Sequence, residues 1–341
     1  MPSPSVPMII GHRGAPGYRP EHTRASYELA FALGADAVEP DVVATKDGVL
    51  VLRHENEISA TTDVASRPEF TDLRTTKLVD GVRRTGWFTE DFTWAQLSTL
   101  RAVERLPELR QGSSSFDGRY PIMRLSQLFD LVDRESERAG RSLGLVVELK
   151  HATYFEQLGL PLDELFASAL LDAGWNDGAG RLVVESFERT VLTGIRARSV
   201  RAKSVYLIEA TGAPFDAVAR DGAAARTYAQ EIDGAGLYAL ATATGHEAID
   251  GISVSKTLLL DAAGDGTTDL VDRAHGVGLQ IFTWTLRPEN RFLGARFRRG
   301  GAAEHFGDWQ REYEVIMETG VDAVFADHPD LAIVARDALA G

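Results

Sequence analysis

Short apolar runs recur along the chain, separated by amphipathic stretches of helical period. Strands are expected at Met8–His12, Ala37–Val42, Gly144–Lys150, Leu182–Phe187, Ser204–Ile208, Gly251–Ser255, Gln280–Thr285 and Asp322–Asp327. Helices are expected at Thr23–Leu33, Leu162–Asp172, Leu270–Gly276, Trp309–Thr319 and Asp330–Leu339. Strands that alternate with helices form a parallel sheet, because a parallel neighbour is reached only through a crossover. Eight such strands is the number that closes a TIM barrel, so the expected fold class is α/β, a (β/α)8 TIM barrel. An open doubly wound sheet would need a glycine-rich phosphate loop after the first strand. Gly14–Gly17, with Pro16 between, does not supply one.

A fragment of internal repetition agrees with the barrel. Gly34-Ala-Asp-Ala-Val-Glu-Pro-Asp41 and Gly320-Val-Asp-Ala-Val-Phe-Ala-Asp327 both read as a helix-ending glycine followed by a strand. A bare barrel needs roughly 250 residues, and this chain has 341. The excess falls in three places: an insertion after the second strand over 56–120, and longer loops over 209–250 and 287–307. No Pro/Ser/Gly-rich linker divides the chain, so residues 1–341 are read as a single domain.

Composition excludes partners more than it names them. Fifty acidic residues against 36 basic ones give a formal net charge of −14. Such a surface disfavours nucleic acid and anionic bilayers, which bind through basic patches. A phosphate-bearing substrate would have to meet local positive charge. Five of the basic residues are lysine, at positions 46, 77, 150, 203 and 256. With no cysteine, disulfides and thiolate chemistry are excluded. The opening MPSPSVPMIIGHRG lacks a basic, then apolar, leader, and no apolar run reaches membrane-spanning length. A cytoplasmic location with no integral membrane segment is the expectation, and a trimmed secreted chain would read the same way. No protein partner can be inferred.

Side chains two apart on a strand point the same way, and barrel active sites lie at the C-terminal strand ends. Glu39 and Asp41 share a face at the end of the second strand, and Glu148 and Lys150 do so on the third. His12 ends the first strand, and His54 ends the apolar segment Val49–Arg53. Three carboxylates aimed into one cavity repel, so they either protonate or hold a cation. Oxygen donors select Ca²⁺ or Mg²⁺, and zinc would need the histidines as ligands. Two histidines beside one divalent ion suit general base and general acid work. His22, His246, His275, His305 and His328 are read as ordinary packed or surface histidines.

His12-Arg13-Gly14, Pro20-Glu21-His22-Thr23, Glu39-x-Asp41, His54, Glu148-Leu149-Lys150, Glu185-Ser-Phe187, Trp284 and Phe325-Ala-Asp327 together resemble the glycerophosphodiester phosphodiesterase family, whose barrel is of the phospholipase C type. The resemblance runs over nearly the whole chain, and the Glu21-His22-Thr23 loop with a long insertion after His54 is similar to the periplasmic-type members. It implies metal-dependent hydrolysis of glycerophosphodiesters to sn-glycerol 3-phosphate and an alcohol. His12 would be general base and His54 general acid, with one Ca²⁺ or Mg²⁺ on Glu39, Asp41 and Glu148. Arg13 would grip the phosphate and Lys150 hold the substrate, with Phe187 and Trp284 as an apolar wall against glycerol. Glu21 would support the histidine and the arginine. The family is thought to attack with the substrate's own glycerol hydroxyl, through a cyclic phosphate that water opens.

Two positions depart from that pattern. Glu185 stands where many members have Gln, and could add a metal ligand or narrow the substrate range. Met123-Arg124 stands where a Pro-Thr pair usually opens a helix. Arg291, Arg296, Arg298 and Arg299 lie in the loop after strand seven and are read as a solvated basic loop, with closure over a phosphate as the sharper option. A phospholipase D-like enzyme acting on lysophospholipids or sphingomyelin is the nearest alternative, with TGWF and DFTW as its apolar approach. A barrel that binds glycerophosphodiesters without turnover is an alternative of another class. A metal-dependent sugar isomerase or aldolase would leave His12-Arg13 without a task.

Overall fold

The computed structural model describes residues 6–261 and 266–340; the first five residues, part of the leader reading above, lie outside them. The strands are β1 (Met8–His12), β2 (Ala37–Glu39), β3 (Asp41–Ala44), β4 (Leu50–Leu52), β5 (Thr75–Val79), β6 (Val82–Gly86), β7 (Gly144–Leu149), β8 (Leu182–Ser186), β9 (Lys203–Ile208), β10 (Gly251–Ser255), β11 (Gln280–Leu286) and β12 (Ala323–Ala326). Parallel pairing runs β2-β1-β12-β11-β10-β9-β8-β7, and β7 pairs back to β2, closing an eight-stranded ring. The expected second strand is split, because Pro40 donates no N–H to the ladder. Beyond it β3 continues along β7 and turns back antiparallel as β4, so Val49–Arg53 forms no barrel strand.

Strand parity holds throughout. Ile10, Ala37, Val146, Val183, Val205, Phe282, Ala323 and Phe325 fill the barrel interior as their own buried cluster. Two residues beyond several of these stand His12, Glu39, Glu148, Glu185 and Trp284 at the mouth. The other strand faces pack against the outer helices. Leu125–Ala139 shows why such segments are helical: Leu125, Leu128, Phe129 and Val132 recur at three- and four-residue spacing and are buried. The helix stops at Gly140, whose φ of 62° suits a residue without Cβ. It opens normally after Arg124, whose N–H donates to the Gln127 side chain, so Met123-Arg124 does not disturb it. Phe129 packs on Trp175 at 5.1 Å between ring centroids, and truncating it to alanine would cost about 3–5 kcal/mol.

The insertion is an excursion of the barrel. Its turn Thr89–Asp91 packs on the β3–β4 edge, where Thr89 Oγ1 donates to the Ala44 carbonyl (2.9 Å), and the β5–β6 hairpin is tied to that turn by Lys77, which donates to Glu90 and Asp91 (2.9 and 2.7 Å). Trp87, Phe88 and Phe92 of TGWF and DFTW are buried inside it, with Phe92 edge-on to Phe70. They pack its core and give no apolar approach to the mouth. Its last stretch, Val103 to Arg110, reaches the barrel opening.

Candidate active site

The register of neighbouring strands assembles the site. His12 lies opposite Glu39, Asp41 opposite Glu148, and Glu148 opposite Glu185. His12, Glu39, Glu148 and Glu185 line a cavity of about 490 Å³ at the C-terminal end of the barrel, together with Arg13, His54, Lys150, Phe187 and Trp284, and Asp41 is buried beside them. Every residue expected to act on metal or substrate is therefore in or directly beside one cavity.

Glu39, Asp41 and Glu148 each bring a carboxylate oxygen within 4.8 Å of the others. Glu39 Oε1 and Asp41 Oδ1 are buried without a hydrogen-bond partner. Burial and the Asp41 charge push Glu39 well above the usual carboxylate range. Burial, with Asp41 beside it, lifts Glu148 to about 8 against the pull of Lys150. Against burial, Lys150, His54 and Arg13 hold Asp41 well below its ordinary value. Two orphaned buried oxygens in a dense, all-oxygen set fit a hard divalent cation. Glu185 Oε2 is also buried and unpartnered, and burial with Glu148 and Asp41 pushes this carboxyl up.

Arg13 is held at the turn after β1. Its backbone is left-handed, φ 57°, while its N–H donates both to the Glu39 carbonyl and to Glu39 Oε2 (2.9 Å each). Those bonds compensate a conformation that costs about 1–2 kcal/mol outside glycine. Gly14 follows at φ 96°, where a Cβ would strike Ser26. The guanidinium lies 3.0 Å from Glu21 and 3.1 Å from Asp41, and it lines the cavity. Lys150 Nζ sits 3.0 Å from Glu148 and 3.6 Å from Asp41, above the Phe187 ring. Phe187 and Trp284 meet edge to face, with centroids 5.8 Å apart.

Both cavity histidines are oriented by carboxylates. His12 Nδ1 donates to Asp327 Oδ1 (2.5 Å), and His54 Nδ1 donates to Glu55 Oε1 (2.5 Å). A carboxylate that stays ionised can only accept, so each Nδ1 carries the hydrogen and each Nε2 is left as the working nitrogen. Against burial, Arg287, Arg110 and His12 hold Asp327 well below the ordinary range. His54, then Arg105, do the same for Glu55. Burial and Arg13 lower His12 to about 4. Burial, Arg13 and Lys150 lower His54 to about 3. Both imidazoles are thus neutral near pH 7 in the free site.

Glu21 differs from its expected role. It accepts from Arg13 and Arg105 and touches neither cavity histidine; Asp327 and Glu55 hold those. His22 is packed, as expected, yet its Nε2 donates to Asp41 Oδ2 (3.0 Å) while Nδ1 accepts from Tyr27 (2.8 Å). Arg291, Arg296, Arg298 and Arg299 are exposed, and the cavity takes Phe292 and Arg287 from this region instead. Sequence reasoning assigned no role to Asp327, Glu55, Arg105, Arg110 or Arg287. Asp327 alone of these carried a signal, from the internal repeat that aligns it with Asp41 and from the Phe325-Ala-Asp327 motif.

A family model described as "Glycerophosphoryl diester phosphodiesterase family" matches residues 12–331. A curated glycerophosphodiester phosphodiesterase of Arabidopsis thaliana is 30% identical over 95% of this chain and 84% of its own length. Among solved structures, one assigned as a glycerophosphoryl diester phosphodiesterase from Silicibacter pomeroyi has a TM-score of 0.68 at 20% identity, covering 99% of this chain and 95% of that one. A phosphodiesterase of Oleispira antarctica, solved with the product sn-glycerol-3-phosphate, has a TM-score of 0.63 at 20% identity over 97% of each chain. At these identities the structures show a common fold.

Proposed function

The chain belongs to the glycerophosphoryl diester phosphodiesterase family, and from that premise and its site geometry we propose that it hydrolyses glycerophosphodiesters to sn-glycerol 3-phosphate and an alcohol. One observation carries the proposal. An all-carboxylate pocket with orphaned oxygens adjoins two neutral imidazoles, each oriented through Nδ1, and two cations, Arg13 and Lys150.

Glu39, Asp41 and Glu148 would hold one divalent cation, Ca²⁺ or Mg²⁺, which would neutralise charge on the phosphoryl oxygens. Arg13 and Lys150 bind the same anion and stabilise the charge gathered in the transition state. His12, neutral through Nε2, accepts the proton of the attacking glycerol hydroxyl. The arriving phosphodiester offsets the repulsion of Arg13 and Lys150 at His54, so His54 can carry a proton and deliver it to the leaving alcohol oxygen. Water then opens the cyclic phosphate as the two histidines exchange roles. Phe187 and Trp284 form the apolar wall beside the glycerol carbons. Glu21 supports the reaction by fixing Arg13, and Glu185 stands in register beside Glu148 as a carboxyl that burial and the neighbouring acids push toward its neutral form.

The test is release of glycerol 3-phosphate from a panel of glycerophosphodiesters, before and after EDTA and then with Ca²⁺ or Mg²⁺ restored. Loss on chelation and recovery on one of the two ions is expected. Activity indifferent to chelation overturns the metal assignment. Lysophosphatidylcholine in the same panel tests the phospholipase D-like reading, which loses its main support now that TGWF and DFTW are core.

A further inference from the structure

Arg105 and Arg110 stand five residues apart in the last stretch of the insertion, and each grips the carboxylate that orients one histidine. Arg105 donates from Nη1 to Glu55 Oε1 (3.0 Å) and from Nη2 to Glu55 Oε2 (2.7 Å), and Glu55 accepts from His54. Arg110 donates from Nη2 to Asp327 Oδ2 (2.6 Å), and Asp327 accepts from His12. Each arginine is clamped on its other side as well. Glu21 takes two bonds from Arg105 (2.6 and 2.9 Å), and Glu289 takes one from Arg110 (2.7 Å). The intervening chain is tied down, since Glu104 accepts from the Leu106 N–H and Ser113 Oγ while its own N–H donates to Asp117.

We propose that this arginine pair makes the insertion part of the catalytic centre: Arg105 and Arg110 are positioning residues that fix Glu55 and Asp327, and through them the two imidazoles. The inference rests on the reading of His12 and His54 as proton carriers. A carboxylate bonded only to a histidine is free to rotate about its own side-chain bonds. Arg105 meets both oxygens of Glu55 and so locks its plane. Arg110 and Arg287 each give Asp327 Oδ2 one directed bond, Arg110 being the one the insertion supplies. A lysine, a single point of charge, reproduces neither geometry. Arg110 is buried and off the cavity wall, so its contribution runs through Asp327. Arg105 does line the cavity, which makes direct phosphate binding the competing role that the test must separate.

The experiment uses the full chain and steady-state turnover of a glycerophosphodiester by R105K, R110K, E55Q and D327N, with the doubles R105K/E55Q and R110K/D327N. Each lysine variant should lower kcat about 10-fold or more while KM stays within about twofold, as expected of misplaced catalytic groups. In the doubles the lysine change should cost less than about threefold, because the link it acts through is already cut. Thermal melts identify which variants are folded, and the less buried Arg105 cycle decides the matter should R110K unfold. Additive losses, an unchanged kcat, or a raised KM with kcat retained would overturn the proposal. H12A and H54A run alongside. Normal rates there sink the histidine reading itself, whereas inactive histidine variants beside active lysine variants sink only the arginine brace.

Discussion

Asp327 Oδ1 lies 2.5 Å from His12 Nδ1 although 315 residues separate them. The first and last strands, β1 and β12, are neighbours in the closed ring, so the carboxylate after one meets the histidine ending the other. The same carboxylate accepts from Arg110 and Arg287 (2.6 and 2.7 Å), which keeps it ionised and able only to accept.

That geometry predicts the behaviour of D327N. An amide can donate toward Nδ1 and favour the wrong tautomer, taking Nε2 out of use as a base. We expect kcat to fall by about 10²-fold or more with KM little changed. Steady-state kinetics on a glycerophosphodiester checks it, and a KM effect alone would argue that Asp327 serves binding.

His12→Ala and His54→Ala should each lower turnover by about 10²–10⁴-fold. The two substitutions should be strongly non-additive when combined, because one proton cycle needs both groups. Near-normal rates in both single variants would remove the proton-transfer assignment.

Glu185 adjoins Glu148 in register, and both are buried acids raised by burial and by neighbouring like charge. E185Q removes one of four crowded carboxyls. In chelator the variant should melt about 1–2 °C above the parent, roughly what a 1 kcal/mol relief gives for a chain of 341 residues. Isothermal titration with Ca²⁺ or Mg²⁺ should give an affinity within about threefold of the parent; a loss beyond about tenfold would make Glu185 a ligand.

Divalent metal should stabilise the fold. At an ion concentration 100 times the dissociation constant the gain is about 2.7 kcal/mol. Thermal melts with EDTA, Ca²⁺ and Mg²⁺ measure it, and E39Q should abolish the increment. An increment that survives E39Q would place the ion elsewhere.

The folded state should weaken below neutrality. Burial and Arg110 lower His328 to about 4, from an ordinary value of 6.5. Above pH 6.5 neither state is protonated and nothing changes. As pH falls from 6.5 toward 4, the unfolded chain takes up a proton that the folded one refuses, so stability drops, by about 2 kcal/mol at pH 5 for this group. H328Q, at a packed site against Tyr18 and Phe306, should show a shallower fall of melting temperature between pH 6.5 and 5. An identical slope would mean that His328 already protonates in the fold.

Much of this was legible from local pattern. Apolar runs at period two located the barrel strands to within a residue or two, and parity along them separated Val146 in the interior from Glu148 at the mouth. Pro40 was visible, but the split it makes and the return of the chain as β4 depend on ladder hydrogen bonds that periodicity does not encode. Glu21 was placed in the right loop with one of its partners misjudged. Which side chain a carboxylate meets depends on elements packed from elsewhere, here Arg105 from the insertion.

By itself the sequence determined the architecture and the inner ring of the site. Strand period, the eightfold alternation and the polar residues at strand ends are local properties, and a closed barrel converts them into one cavity. Tertiary structure alone decided what holds that ring. Asp327 on His12, Glu55 under Arg105, Arg110 bridging Glu289 and Asp327, and His22 on Asp41 join segments up to 315 residues apart. Buried charge must find its partner within about 3 Å, and only the packed fold specifies which distant side chain arrives there.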